Sequence, residues 1–223
     1  MRFSPPAGLL RSIAARTAFV DDQVLTAIAA GLGQIVICGA GYDDRALRFR
    51  TSGIRFFELD HPDTQQDKAR RLKALSADAP AVTLAAADFR CDDAGAVLAQ
   101  AGHDASEPSL FICEGLLIYL DGQTCHRLLA ALADHAAAGS VLAASLSTHA
   151  DGADSRVVAA DANSRRRNGA AEPWQTILPA ADHLARLEQA GWVVTNTQWA
   201  PASSDHVSFG RRSLLVQAKP FGR

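Results

Sequence analysis

Cys38-Gly39-Ala40-Gly41 closes a short β-branched run, and Asp43 and Asp44 follow almost at once. Glycines at 39 and 41 let the backbone turn sharply and let a ligand approach with no side chain between, while the helix start beyond them offers unpaired N–H groups. A flat or anionic ligand suits such a turn. A dinucleotide fingerprint requires a third glycine at position 44, where this chain has Asp44. Two carboxylates there repel a pyrophosphate and accommodate a ligand carrying positive charge. Helix capping and dipole compensation explain them as well, and for Asp44 that plainer reading is preferred.

The next apolar run, IRFFELD, ends in Asp60, about 20 positions beyond the glycine turn, where an acid meets the ribose hydroxyls of a bound nucleoside. Glu58 shares a face with Asp60 by strand alternation, and a salt bridge to Arg45 or Arg55 accounts for it equally well.

Strands alternating with helices must position these residues. Residues 7 to 31 carry apolar positions at helical spacing and read as one broken or two short helices, ended by Gly31 and Gly33. QIVICGAG is a buried strand for the middle of the sheet. A helix begins near Asp43, residues 54 to 60 form a strand, and Pro62 opens a polar helix over 63 to 76. Strands follow at 81 to 87, 109 to 115, near 140 to 147, at 192 to 199 and at 212 to 218. Helices fall at 93 to 102, 122 to 137 and 180 to 190, and 148 to 177 is less regular. The pattern implies a doubly wound, Rossmann-like α/β fold whose sheet is mostly parallel, with one antiparallel strand near the C-terminus. In such sheets a ligand sits at the carboxyl ends of the strands, where strand order reverses.

A chain of 223 residues fits one domain over 1–223, with 1–33 as an N-terminal helical segment. Apolar residues make up 48% and charged residues 21%, the composition of an ordinary folded protein. The formal net charge of −2 gives no electrostatic footprint for nucleic acid, and the run Arg165, Arg166, Arg167 reads as a solvated turn or helix end. Cys38, Cys91, Cys113 and Cys125 show neither a CxxC pair nor zinc-ligand spacing, so no metal is expected and the thiols read as reduced. With no secretory signal and no bilayer-spanning apolar stretch, the expected location is the cytoplasm, with no membrane partner.

Five ordered motifs are more specific: ARTAFVDD (15 to 22), QIVICGAGYDDRALRF (34 to 49), FFELDHPDTQQDK (56 to 68), AADFR (86 to 90) and FICEGLLIYL (111 to 120). Together they resemble the leucine carboxyl methyltransferase family, in particular its bacterial branch of S-adenosylmethionine-dependent O-methyltransferases, which includes enzymes acting on polyketides. The resemblance implies a class I methyltransferase sheet and S-adenosylmethionine as cofactor. It implies that Gly39 and Gly41 lie against the cofactor and that Asp60 holds its ribose. Asp88 with Phe89 then meets the adenine, Glu114 fixes the methionine portion, and Arg16 binds the cofactor carboxylate. The acceptor is expected to be a small molecule, methylated on a carboxylate or a phenolic hydroxyl. Relative to the family the segment before the first strand is short, and 148–177 is a modest candidate lid.

Methyl transfer from a sulfonium is an in-line displacement in a dry pocket. A carboxylate needs no base, whereas a phenol does, and His149 and His206 are the histidines best placed to serve. Tyr119 and Trp174 are candidates for lining the acceptor pocket. Two alternatives stand beside this reading: a nicotinamide-dinucleotide oxidoreductase, disfavoured by Asp44, and a catalytically idle binding module that keeps a nucleotide fold.

Overall fold

The computed structural model describes residues 7–75, 82–164, 173–201 and 212–222. In chain order the elements are α1 (Ala7–Ala29), β1 (Gln34–Cys38), α2 (Arg45–Arg48), β2 (Arg55–Asp60), α3 (Pro62–Leu75), β3 (Val82–Ala86), α4 (Ala94–Gln100) and β4 (Ser109–Cys113). A 3-10 turn (Leu117–Tyr119), α5 (Gly122–Asp134), β5 (Val141–Thr148), α6 (Ser155–Ser164), α7 (Ala180–Gln189), β6 (Trp192–Trp199) and β7 (Arg212–Pro220) complete it. The strands make one sheet in the order β3-β2-β1-β4-β5-β7-β6. β1 to β5 pair in parallel, and β7 runs antiparallel to both its neighbours. This is the mostly parallel, doubly wound sheet that the alternating pattern implies. Its order reverses between β1 and β4, so the crevice of interest opens at their carboxyl ends.

Period-two alternation divides the strand residues between two apolar layers. Val36, Phe57, Phe111 and Leu142 face α4, α5 and α7, whereas Ile35, Phe56, Leu110 and Ile112 face Phe19, Val20 and Val24 of α1. Both faces are covered, which is why β1 and β4 are continuous apolar runs with every residue buried. Trp192, fully buried at the start of β6, satisfies its indole by donating from Nε1 to the Leu129 carbonyl at 2.8 Å.

Three local expectations are corrected. The N-terminal segment is one unbroken helix of 23 residues. Its apolar periodicity looked broken because Leu10 and Ile13 do not face the core: they are 50% and 40% exposed, and Ile13 lines a cavity instead. The helix after the glycine turn is a single turn, Arg45–Arg48. The less regular stretch contains α6, and residues 175 to 178 beyond it are pinned to their neighbours. Gln175 and Thr176 donate backbone N–H groups to the Ile118 carbonyl, Leu178 N donates to Ser147, and Thr148 bridges to Leu178.

Among the described residues no helix is long and apolar enough to cross a membrane. Cys38, Cys113 and Cys125 are buried free thiols and Cys91 is an exposed one.

Two histidines are buried as neutral rings. His103 shares a 3.0 Å hydrogen bond between Nε2 and Ser109 Oγ, and His183 Nε2 lies 2.8 Å from the Ser147 carbonyl. Burial lowers the pKa of each from 6.5 to about 4. A folded-state value below the unfolded one means that the unfolded chain binds more protons in between. Each ring's contribution is therefore complete above pH 6.5 and is lost as pH falls toward 4. The slope approaches about 1.4 kcal/mol per pH unit for each ring. In urea titrations across that window, His183→Gln is expected to lose less stability per pH unit than the parent; equal slopes would show that His183 is not the group titrating.

Candidate active site

Four strand ends build the crevice. After β1 the chain turns through Gly39 and Gly41 at φ of 65° and 50°. At Gly39 the turn also presses on a neighbour, since a Cβ there would stand 2.8 Å from Leu116 Cδ1. At Gly41 nothing lies within 4 Å of that position, so only its backbone angle calls for glycine. β2 delivers Asp60 beside this turn: Oδ2 accepts from Gly41 N and Oδ1 from His61 N, both at 2.6 Å.

β3 leads to Asp88, whose carboxylate takes Nε and Nη2 of Arg90 at 2.9 Å each; that bond holds its pKa down at about 2. Phe89 beside it is buried in the core layer and also lines the crevice. β4 ends at Glu114, which lies between two arginines: Oε1 takes Arg16 Nε and Oε2 takes Arg45 Nη2, each at 2.8 Å. The terminal nitrogens of Arg16 stand over Gly115, 3.3 and 3.5 Å from where a Cβ would be.

Arg45 organises this end of the molecule, and the sequence reading assigned it no such role. Its side chain is 5% exposed and meets Asp21 of α1 at 2.7 Å, Asp43 of the turn, and Glu114. Burial alone lowers the pKa of the guanidinium; Asp43, Glu114 and Asp21 outweigh it and the net shift is upward. The local signal was the spacing of Asp43 and Arg45, but the other two acids are distant in sequence. Asp43 also caps α2 by accepting from Arg45 N at 2.8 Å, whereas Asp44 makes no capping bond and pairs with Arg48 at 2.7 Å. Glu58 is corrected too. It pairs with neither Arg45 nor Arg55 but with Lys68 of α3, which also donates to the Asp43 carbonyl at 2.7 Å. Arg55 lies at the opposite end of β2 and reaches Gln34 and Gly102.

Cavities join along this line. One of about 390 Å³ is lined by Gly39, Asp60, Asp88, Phe89, Tyr119 and Gln175. A second, about 240 Å³, meets it at Gly39 and contains Asp43, Arg45 and Glu114. A third, about 130 Å³, meets the first at Gly115 and Tyr119 and extends past Arg16, Ser147, Trp174 and Arg212. Residues 173 to 177 form the wall between the first and third: Pro173 and Gln175 turn to one, Trp174 and Ile177 to the other.

All the residues expected at the cofactor thus lie on or beside this connected space. Of the two expected bases, His149 does not join them. His149 is 4% exposed, with Nδ1 2.7 Å from the Ala150 carbonyl and Nε2 2.8 Å from Ser155 Oγ, and it is absent from the walls of the third cavity. Nε2 thus ties the residue after β5 to the start of α6, and Nδ1 is taken by the adjacent loop carbonyl. His206 lies outside the described residues, as do Arg165, Arg166 and Arg167.

A family model described as leucine carboxyl methyltransferase matches residues 3–133. The chain belongs to the leucine carboxyl methyltransferase family. A Frankia alni relative, provisionally named an S-adenosylmethionine-dependent methyltransferase, is 37% identical over 183 residues, covering 81% of this chain and 61% of the relative. A Streptomyces coelicolor relative of the same provisional name is 36% identical over 182 residues, with 81% and 62% covered. This family member therefore spans about three fifths of the length of those relatives. In fold it is similar to a crystal structure from Thermobifida fusca YX, provisionally titled a methyltransferase, at a TM-score of 0.68 and 18% identity, covering 97% of this chain and 84% of that one. It is also similar to magnesium protoporphyrin IX methyltransferase from Synechocystis PCC 6803 with bound SAH, at a TM-score of 0.57 and 15% identity, with 97% and 89% covered.

The Arg45 cluster gives a direct test. Removing a buried guanidinium leaves carboxylates uncompensated, which costs about 3–5 kcal/mol. Arg45→Met is expected to lower the urea midpoint by that equivalent. Arg45→Lys should recover only part, because an ammonium cannot meet Asp21, Asp43 and Glu114 in one planar fork. Full recovery by lysine would contradict this account.

Proposed function

We propose that this chain is an S-adenosylmethionine-dependent O-methyltransferase acting on a small molecule, with a carboxylate as the preferred acceptor group. The observation that carries the reading is the set of acids at successive strand ends, Asp60, Asp88 and Glu114, around a turn whose Gly41 N–H is already taken by Asp60. A turn meant for a pyrophosphate keeps its N–H groups for phosphate oxygens. Here an anion would meet Asp43, Asp44 and Glu114 in the adjoining cavity. A nucleoside with a cationic tail fits that donor set, and a dinucleotide does not. The names of the Frankia and Streptomyces relatives point the same way.

When bound, the cofactor supplies a methyl group on a sulfonium. Asp60 would accept from both ribose hydroxyls, and Asp88 with Phe89 would flank the adenine. Arg16, whose Nε is committed to Glu114, would turn its terminal nitrogens to the cofactor carboxylate near Gly115. Glu114 would offset the ammonium. Tyr119 and Gly115 mark where the cofactor space opens into the third cavity, and Ile118, Trp174 and Ile177 would keep water from the transfer.

No histidine among the described residues lines that cavity. The geometry therefore favours an acceptor that arrives already ionised over a phenol that must lose a proton. Acids drawn from polyketide or other secondary metabolism are the natural candidates, by resemblance to the bacterial branch. With a net charge of −2, nucleic acid is not a proposed partner.

Calorimetry with S-adenosylmethionine, S-adenosylhomocysteine and NAD tests the cofactor, and binding of NAD alone would overturn the assignment. Asp60→Ala is expected to weaken S-adenosylhomocysteine binding at least about tenfold, equivalent to about 1.4 kcal/mol. Labelled methyl transfer to a panel of carboxylic acids and phenols separates an enzyme from an idle binding fold.

A further inference from the structure

We infer that Arg212 selects the acceptor, by holding an anionic group of it at the outer end of the third cavity, away from the oxygen that is methylated. The inference rests on the methyl-transfer reading above and adds to it a second charged group on the substrate.

The charge distribution comes first. Among the described residues the walls of the third cavity carry two guanidiniums, Arg16 and Arg212, and no carboxylate. Both adjoining cavities carry arginines matched by acids, Arg90 with Asp60 and Asp88 in one and Arg45 and Arg48 with Asp43, Asp44 and Glu114 in the other. Arg16 is neutralised by Glu114 at 2.8 Å. Arg212 has no ion pair among the described residues, so its charge is the one that an occupant of this space meets uncompensated.

Arg212 is also held in place. Its backbone carbonyl accepts from Thr148 Oγ1 at 2.9 Å, and its guanidinium lies 4.5 Å over the Trp199 ring. An arginine stacked on an aromatic face keeps its in-plane N–H donors available for a planar anion.

Register then sets the distance. Ser145 Oγ accepts from Gly115 N at 2.8 Å, which marks the cofactor end of the cavity. In the antiparallel pairing of β5 with β7, Arg212 stands opposite Thr148. Thr148 is three strand residues past Ser145, roughly 10 Å at about 3.3 Å per residue. The guanidinium leans further, toward β6, where Trp199 lies. The anion it holds is thus a different group from the one beside Gly115.

Between the two ends Ile13, Ile118, Trp174 and Ile177 supply apolar wall, interspersed with the hydroxyls of Ser12, Ser147 and Ser213. The volume of about 130 Å³ is near that of a dry cavity that admits benzene. The acceptor class that suits this space is a small, one-ring body with the methylated oxygen at one end and an anion at the other.

Matched para-substituted benzenes test this: terephthalate against its monoamide, and 4-hydroxybenzoate against 4-hydroxybenzamide. Binding to the enzyme–S-adenosylhomocysteine complex, read by calorimetry, avoids dependence on turnover. Each acid should bind at least tenfold more tightly than its neutral counterpart. Arg212→Met should bring each pair within threefold, Arg212→Lys should keep part of the preference, and S-adenosylhomocysteine affinity should stay within twofold in both variants. Equal binding of acid and amide by the parent, no binding of any member, or loss of S-adenosylhomocysteine affinity in Arg212→Met each overturns the assignment. Failure of the parent to bind S-adenosylhomocysteine removes the cofactor reading instead, and acid binding without it then reports on Arg212 alone.

Discussion

A guanidinium buried to 5% exposure cannot remain charged without partners, and Arg45 has three: Asp21, Asp43 and Glu114. Each belongs to a different part of the chain, namely α1, the turn after β1, and the end of β4. Desolvating the group is expensive, and only this geometry returns the cost. The arrangement therefore has one satisfactory state, in which the helix, the turn and the strand end share a fixed relation. Arg48 extends the lattice through Asp21, and Arg16 extends it through Glu114. A second brace on the other side of the turn pairs Lys68 with Glu58 and holds the Asp43 carbonyl. With both faces of the turn tied down, the glycines are rigid despite their small size. Rigidity is what the proposed alignment of a sulfonium with an oxygen would require.

Much of the fold was legible because its signals are local. Continuous apolar runs between glycines give β1 and β4, Pro62 opens α3, and Asp60 lies at the distance from Gly41 that a parallel neighbour imposes. What could not be read depends on contacts between distant residues. Arg45 looks like a surface arginine until Asp21 and Glu114 arrive beside it. The apolar positions of α1 do not all mark one core face, because Ile13 turns to a cavity and Leu10 is exposed. His149 follows a strand that leads toward the site, and the sequence carries no sign that Ser155 would claim its second nitrogen. The role proposed for Arg212 is equally invisible in sequence, since it depends on which charges share its cavity wall among the described residues.

The site divides its labour by charge. Acids outnumber or match the arginines where the cofactor would lie, whereas among the described residues the third cavity carries Arg16 and Arg212 without a carboxylate, with Gly115 and Tyr119 at the boundary.

Residues 173 to 177 set a limit on how this site can diversify. One ribbon of backbone, fastened through Gln175 and Thr176 to the carbonyls of Ile118, Tyr119 and Leu120, presents neighbouring side chains to two different compartments. It is a party wall. New acceptors can be admitted by exchanging Trp174 or Ile177 while Gln175 stays, but any change in the length of the ribbon shifts both rooms together. Substitution is therefore the open evolutionary route here, and insertion the closed one.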